Sequence, residues 1–130
     1  MLPFSIDLKP GLPVAEQVLF AVKRAAVSGQ LQPGDKFPSV RQLSQELRIN
    51  PNTAHKILAA LVNEGVLVTT PAIGSIVAHP AAGSRRERAA LLGPELERTI
   101  VEAKKLGLDL AEVQAAVATH WRKLSDPSKP

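Results

Sequence analysis

The segment 48–51, RINP, separates two short stretches whose apolar residues recur at helical spacing, and this joint constrains the fold more than any other feature of the chain. The first stretch predicts a helix over about 40–47 and the second a helix over about 51–64. Asn50 suits the N-cap of the second helix. Pro51 suits its first turn, because the amide groups at the start of a helix have no acceptor within the helix and the N–H that proline lacks is not needed there. A joint this short makes the two helices cross at a steep angle, as in a helix-turn-helix.

The sequence around this helix pair predicts a mainly α fold with a small β-hairpin. A helix over about 13–28 precedes the pair, and two short β-branched runs follow it, at 66–70 and 75–78, around the turn 71–74. Three helices followed by a hairpin is the order of elements in a winged helix-turn-helix, in which the hairpin is called the wing. We therefore predict an N-terminal winged helix-turn-helix domain over residues 1–78.

The second helix of the pair has an apolar face and an opposite polar face. Asn52 and Lys56 share the polar face, and no acidic residue lies between Arg48 and Lys56. The second helix of a helix-turn-helix enters the DNA major groove, where amide and cationic side chains bind base edges and phosphates. The residues predicted to bind DNA are Ser39, Arg41, Gln42, Asn50, Asn52, Thr53, His55 and Lys56.

Several of these residues also have a plain structural explanation. Ser39 begins an S-x-x-Q capping box, and Asn50 is a suitable N-cap, so both are explained equally well as helix caps. Further alternatives are that Arg41 is merely a solvated surface residue and that His55 is a passive surface histidine. The sequence leaves these alternatives open.

The composition excludes several classes of protein. The 130 residues include no cysteine, which excludes a disulfide scaffold or a thiolate metal site and suits a reducing compartment. No apolar run is long enough to span a membrane, and the N-terminus lacks a signal-peptide pattern, so a cytoplasmic protein is expected. The three histidines are scattered, and no paired nucleophile and base or phosphate loop is present. We therefore expect no metal, no cofactor and no enzymatic activity.

The C-terminal part of the chain predicts helices that pack against a second copy. Residues 79–84, HPAAGS, suit a linker, 85–124 a helical dimerisation region, and 125–130 a flexible tail. Gly93-Pro94 interrupts the first helical run and predicts a kink or two stacked pieces. An open alternative is that these helices pack only on each other and on the winged domain. The predicted dimer-interface residues are Leu92, Leu96, Ile100, Ala103, Leu110, Val113, Val117, Trp121 and Leu124.

The chain resembles the GntR family of bacterial transcriptional regulators. The stretch LQPGDKFPSVRQLSQELRINPNTAHKILAALVNEGVL is similar to the winged helix-turn-helix of that family, and the motif G-x-L-x-P-G-D-x-x-P-S-x-R-x-L runs from Gly29 to Leu43. The segments IDLKPGLPVAEQV, NPNT and ELERTIVEAKKLGLDLAEV resemble its YtrA subfamily. The resemblance covers about residues 4–124 and implies a homodimeric regulator of repressor type that binds a palindromic operator, often encoded near membrane-transport genes.

The resemblance also implies roles for single residues. It implies DNA contacts from the arginine of the P-S-x-R motif, from the first turns of the third helix, and from the wing glycine, which corresponds to Gly74. Thr70 and Ala72 stand where the family usually has a basic residue and a further glycine. Leu58 and Ala15 stand where tyrosine is common. An uncharged wing is expected to hold DNA weakly.

One alternative function stays open at this point. A winged helix can serve as a protein-interaction module, and its basic face would then meet an acidic partner protein instead of DNA. The absence of acidic residues between Arg48 and Lys56, where the predicted recognition helix begins, favours DNA. No polar cluster in the C-terminal helices indicates an effector, so the effector, if any, is unknown.

Overall fold

The computed structural model describes residues 1–125, which divide into two compact units: Met1–Pro80 with the residues from Leu124 onward, and Ala81–Lys123. The predicted tail 125–130 lies outside the described residues except for Ser125. No helix in this described part is long and apolar enough to cross a membrane. In chain order, the elements are α1 (Val14–Ser28), α2 (Val40–Leu47), α3 (Pro51–Asn63), β1 (Leu67–Thr70), β2 (Gly74–Val77), α4 (Arg85–Ala90), a π-helical turn (Leu91–Glu95), α5 (Leu96–Lys105) and α6 (Leu110–Lys123).

Helix α1 begins one residue later than the sequence predicted. Pro13 has a ψ of 127°, outside the helical range, so it is the N-cap and not the first helical residue. Gly29 ends the helix at a φ of 85°, where its amide donates to the carbonyl of Ala26. Glycine adopts this left-handed conformation without the clash that a Cβ introduces.

The joint between α2 and α3 is as short as predicted, and local hydrogen bonds explain it. Arg48 adopts a left-handed conformation at φ 56°, and the Ile49 amide donates to the Ser44 carbonyl at 3.0 Å. This six-to-one bond satisfies a carbonyl that the end of α2 would otherwise leave free. Asn50 Oδ1 then accepts from the Asn52 amide at 2.7 Å, and α3 begins at Pro51.

The first unit has one hydrophobic core beneath its three helices and the hairpin. Phe4 and Phe37 stack at one side of it with ring centroids 5.8 Å apart. Full burial of one large aliphatic side chain contributes roughly 1.5–3 kcal/mol, so α3 and the hairpin are held firmly on this core. The largest fully buried side chains are Leu31, Leu43, Ile57, Leu61, Leu67, Val18 and Val22.

The hairpin is present as predicted, and a third strand-like segment joins it. Strands β1 and β2 pair antiparallel with Leu67 opposite Val77. The segment before α2 lies along the other edge of β2, where Lys36 forms an isolated bridge with Ile76. The sequence did not predict this pairing, because one bridged residue leaves no alternating pattern to detect.

In the second unit, Gly93-Pro94 does not end the helix or divide it into two stacked pieces, and the predicted kink stays a prediction. The chain widens into the π-helical turn between α4 and α5, and the Leu96 amide donates to the carbonyls of Leu91 and Gly93. Proline has no amide proton and its ring crowds the preceding turn, and a wider turn accommodates both effects. The helical path is therefore continuous from Arg85 to Lys105.

Capping boxes begin both helical segments of the second unit. Ser84 Oγ accepts from the Glu87 amide at 3.0 Å, and Glu87 Oε1 accepts from the Ser84 amide at 2.9 Å. The hydrogen bond from the Ser84 amide holds the pKa of the Glu87 carboxyl below its ordinary value. Asp109 and Glu112 form the same reciprocal pair at the start of α6.

Candidate nucleic-acid interface

Helix α3 presents its polar side chains outward from the first unit. Ala54, Ile57, Leu58 and Leu61 anchor the helix in the core. Asn52, His55 and Lys56 lie on the opposite side and are exposed, while Thr53 is half-buried between the two faces. The apolar spacing thus fixes the rotation of the helix about its axis, and that rotation leaves the amide, imidazole and ammonium groups accessible in the first two turns.

The exposed face of α3 carries no negative charge. No acidic residue occurs between Pro51 and Asn63, and Glu64, which follows, is paired with Lys23 at 2.9 Å. Among the described residues, neither Lys56 nor Arg41 has a carboxylate within ion-pair distance. Cations that lack an internal partner are available to an external anion, and DNA phosphate is such an anion.

Three of the predicted DNA-binding side chains act as helix caps. Ser39 Oγ accepts from the Gln42 amide at 3.2 Å, and Gln42 Oε1 accepts from the Ser39 amide at 3.1 Å. Asn50 Oδ1 accepts from the Asn52 amide. Capping explains why these residue types occur there, and the amide nitrogens of Gln42 and Asn50 keep their donor capacity. A DNA contact from these three residues stays a prediction.

Arg41 and Gly74 are predicted DNA-binding residues that lie outside α3. Arg41 is exposed in the first turn of α2, and its guanidinium forms no ion pair in the described chain. Gly74 begins β2 at a φ of 94°, and a Cβ built on it would meet no atom within 4 Å. Its requirement for glycine is therefore conformational, set by the tight turn and not by neighbouring atoms.

The fold brings Ser39, Gln42 and Gly74 to one open groove between the wing and the start of α2. Lys36 lines the same groove and was absent from the sequence-based prediction. Little in the sequence indicated this, because Lys36 is the only basic residue in the loop-like segment QPGDKFP. Its place beside the wing results from pairing with β2, which the local sequence does not show.

The predicted dimer residues of the second unit fall into two groups. Ala103 is buried, Leu92 lies off the apolar groove on this unit, and Leu124 belongs to the first unit. Gln114, Ala118 and Arg122 line that groove as well. The other six predicted residues, which form the rest of its lining, are Leu96, Ile100, Leu110, Val113, Val117 and Trp121.

The described residues contain no group of three or more histidine, cysteine, aspartate or glutamate side chains placed to hold a metal ion. The described surface offers hydrogen-bond donors and acceptors and cations on the first unit and an apolar groove on the second.

Comparison with known proteins gives consistent relatives. A sequence model of the bacterial regulatory proteins of the gntR family matches residues 14–77. The HTH-type transcriptional repressor YtrA of Bacillus subtilis (strain 168) is 30% identical over 109 residues, which cover 83% of this chain and 84% of YtrA.

Solved structures resemble both units of the chain. The crystal structure of a transcriptional antiterminator from Listeria monocytogenes EGD-e has a TM-score of 0.81 and 27% identity, and covers 98% of this chain and 97% of its own. YtrA from Sulfolobus acidocaldarius, a GntR-family transcription factor, has a TM-score of 0.53 and 25% identity, with 92% and 97% covered. All three named relatives act on transcription and none is named as an enzyme, which agrees with the prediction that the chain is not an enzyme.

Proposed function

The chain belongs to the GntR family of bacterial regulatory proteins, as the resemblance predicted, and from this premise we propose that it represses transcription by binding a palindromic operator as a homodimer. The proposal depends most on one observation: α3 buries its apolar face and exposes an acid-free polar face in its first two turns. Such a face matches the hydrogen-bonding edges and negative backbone of a DNA major groove.

Within this proposal the exposed residues have distinct roles. Asn52 is an amide side chain of the type that pairs with the adenine edge, and Thr53 offers a hydroxyl and a methyl group. Arg41 has the planar fork that binds a guanine edge or a phosphate at two points. Lys56 and His55 lie one turn further along and suit backbone phosphates or bases. Each good bidentate base contact discriminates by about 1–3 kcal/mol.

The hydrophobic surface of the second unit supports dimerisation. Leu92 is 70% exposed and Leu110 is 68% exposed. Among the described residues of this unit, Ala103 is the only buried apolar side chain. Helices with so little internal core need a further surface to cover their apolar stripes, and a second copy offers a self-complementary one.

Dimerisation explains the expected form of the operator. A two-fold symmetric dimer presents two α3 helices, and two half-sites on one face of B-DNA lie about 34 Å apart, or a multiple of that distance. The operator is then an inverted repeat. The relative YtrA of Bacillus subtilis is named a repressor, which supports the proposed sign of regulation. A bacterial regulator of this kind meets its operator in the cytoplasm, where we expect the protein to act.

Selection of bound duplexes from a random pool tests the proposal. We expect enrichment of an inverted repeat whose half-site centres lie about 10 bp or a multiple of 10 bp apart. A double variant, Arg41→Ala with Asn52→Ala, serves as the control that retains the fold, because both side chains are exposed. If the duplexes selected by the wild-type protein are no more enriched in one sequence than those selected by the double variant, sequence-specific binding is contradicted.

A further inference from the structure

The wing lacks any charge of its own. Residues 66–78, which span both strands and the turn between them, include no lysine, arginine, histidine, aspartate or glutamate. A wing that flanks the DNA backbone without a cation gains nothing from counterion release, the main source of sequence-independent affinity for DNA. The structure supplies a cation to this hairpin from outside it.

The segment 34–37 is attached to the wing as a third strand. The Gly34 amide donates to the Val77 carbonyl at 2.8 Å, and the Val77 amide donates to the Asp35 carbonyl at 2.8 Å. The Phe37 amide donates to the Ser75 carbonyl at 2.9 Å. These bonds, on both sides of the bridge between Lys36 and Ile76, fix the backbone of Lys36 against β2.

The alternation of this strand turns Lys36 away from the core. Phe37 is 6% exposed and stacks on Phe4, so its neighbour Lys36 projects from the other face of the strand. Lys36 is exposed and makes no ion pair in the described chain. The adjacent Asp35 carboxylate accepts a hydrogen bond from the Gln32 amide at 2.8 Å.

The position of Lys36 matches the proposed DNA-binding surface. Lys36 is one of the residues that line the groove containing Ser39, Gln42 and the wing residues Ile73 and Gly74. We propose that Lys36 is the phosphate-binding cation of the wing, held on β2 by the third strand and replacing a basic residue within the hairpin. This inference rests on the proposed DNA-binding function and adds a contact that does not depend on base sequence.

Salt dependence of binding to a mixed-sequence duplex tests Lys36 directly. Each phosphate contact contributes about 0.9 to the slope of log affinity against log salt concentration. Lys36→Gln removes one contact from each subunit, so we expect the slope to fall in magnitude by about 1.8 for a bound dimer. Across a fourfold range of salt, the wild type then loses about twelvefold more affinity than the variant does.

Two further variants separate the outcomes. Lys36→Arg keeps the charge and is expected to keep the slope of the wild type. Lys105→Gln removes the same charge from an exposed site in the second unit and is expected to leave the slope unchanged. A wild-type slope in Lys36→Gln, or an equal decrease in Lys105→Gln, would overturn the role of Lys36 and leave DNA binding in place. If the wild type does not bind any duplex at low salt, the proposed function itself fails, and the inference fails with it.

Discussion

Truncation of Leu110 provides a quantitative test of the proposed dimer. Leu110 is the first residue of α6 and lines the apolar groove of the second unit, where it is 68% exposed. Leu110→Ala removes most of the apolar surface of this side chain, and α6 keeps its cap because Asp109 and Glu112 are unchanged. Little change in the fold of the separate subunit is expected, because the side chain contributes little to the core within one copy.

The size of the effect follows from the exposed fraction. Complete burial of a leucine side chain contributes roughly 1.5–3 kcal/mol, and about two thirds of that is available if the dimer covers the exposed part. The loss is then about 1–2 kcal/mol for each copy, and a two-fold interface contains the residue twice, so the total is about 2–4 kcal/mol. A change of 1.4 kcal/mol alters an equilibrium constant about tenfold, so the dimer dissociation constant rises by about 30- to 700-fold.

Sedimentation across a dilution series measures this dissociation constant. Leu106→Ala is the matched control, because Leu106 is 74% exposed and lies off the groove. We expect the control to associate like the wild type and Leu110→Ala to dissociate at much higher concentration. Equal dissociation constants for the two variants would refute the groove as the dimer surface, and a wild type that stays monomeric at every concentration would refute the dimer.

Three further substitutions test other parts of the structure. Ala72→Gly is expected to stabilise the first unit by about 0.5–1 kcal/mol in a denaturant titration, because Ala72 has a φ of 71°, where a Cβ is strained; lower stability would contradict that reasoning. Arg41→Ala is expected to weaken operator binding by about 1–3 kcal/mol at an unchanged melting temperature, and unchanged affinity would exclude Arg41 from the contact set. Ser39→Ala is expected to lower the unfolding free energy by about 1 kcal/mol because the capping box of α2 is lost; no change in stability would show that the cap is unimportant.

Local signals in the sequence were sufficient for much of the fold. The bounds predicted for α2 agree with the structure, and α3 ends one residue before the predicted Glu64. Capping boxes, the proline at the start of α3 and the apolar spacing all act within a few residues, so the sequence reveals them without tertiary information.

Features that depend on distant residues were missed. Pairing of Lys36 with Ile76 joins residues forty positions apart, and nothing near Lys36 indicates it. The sequence predicted a kink or two stacked pieces at Gly93-Pro94 and missed the π-helical turn, because proline removes a helical hydrogen bond and the local sequence does not show how the chain compensates. The position of Gly74 beside Ser39 in one groove likewise follows only from the packed fold.

The central claim, that the first turns of α3 read base edges, is tested most directly with Asn52→Ala. Affinity is measured for the selected operator and for every single-base variant of it, with Asn63→Ala as the control at the far end of the same helix. We predict that Asn52→Ala loses preference at one position in each half-site, with a decrease in discrimination of about 1–3 kcal/mol, and that the control keeps the wild-type profile. A wild-type profile at every position in Asn52→Ala would contradict the claim.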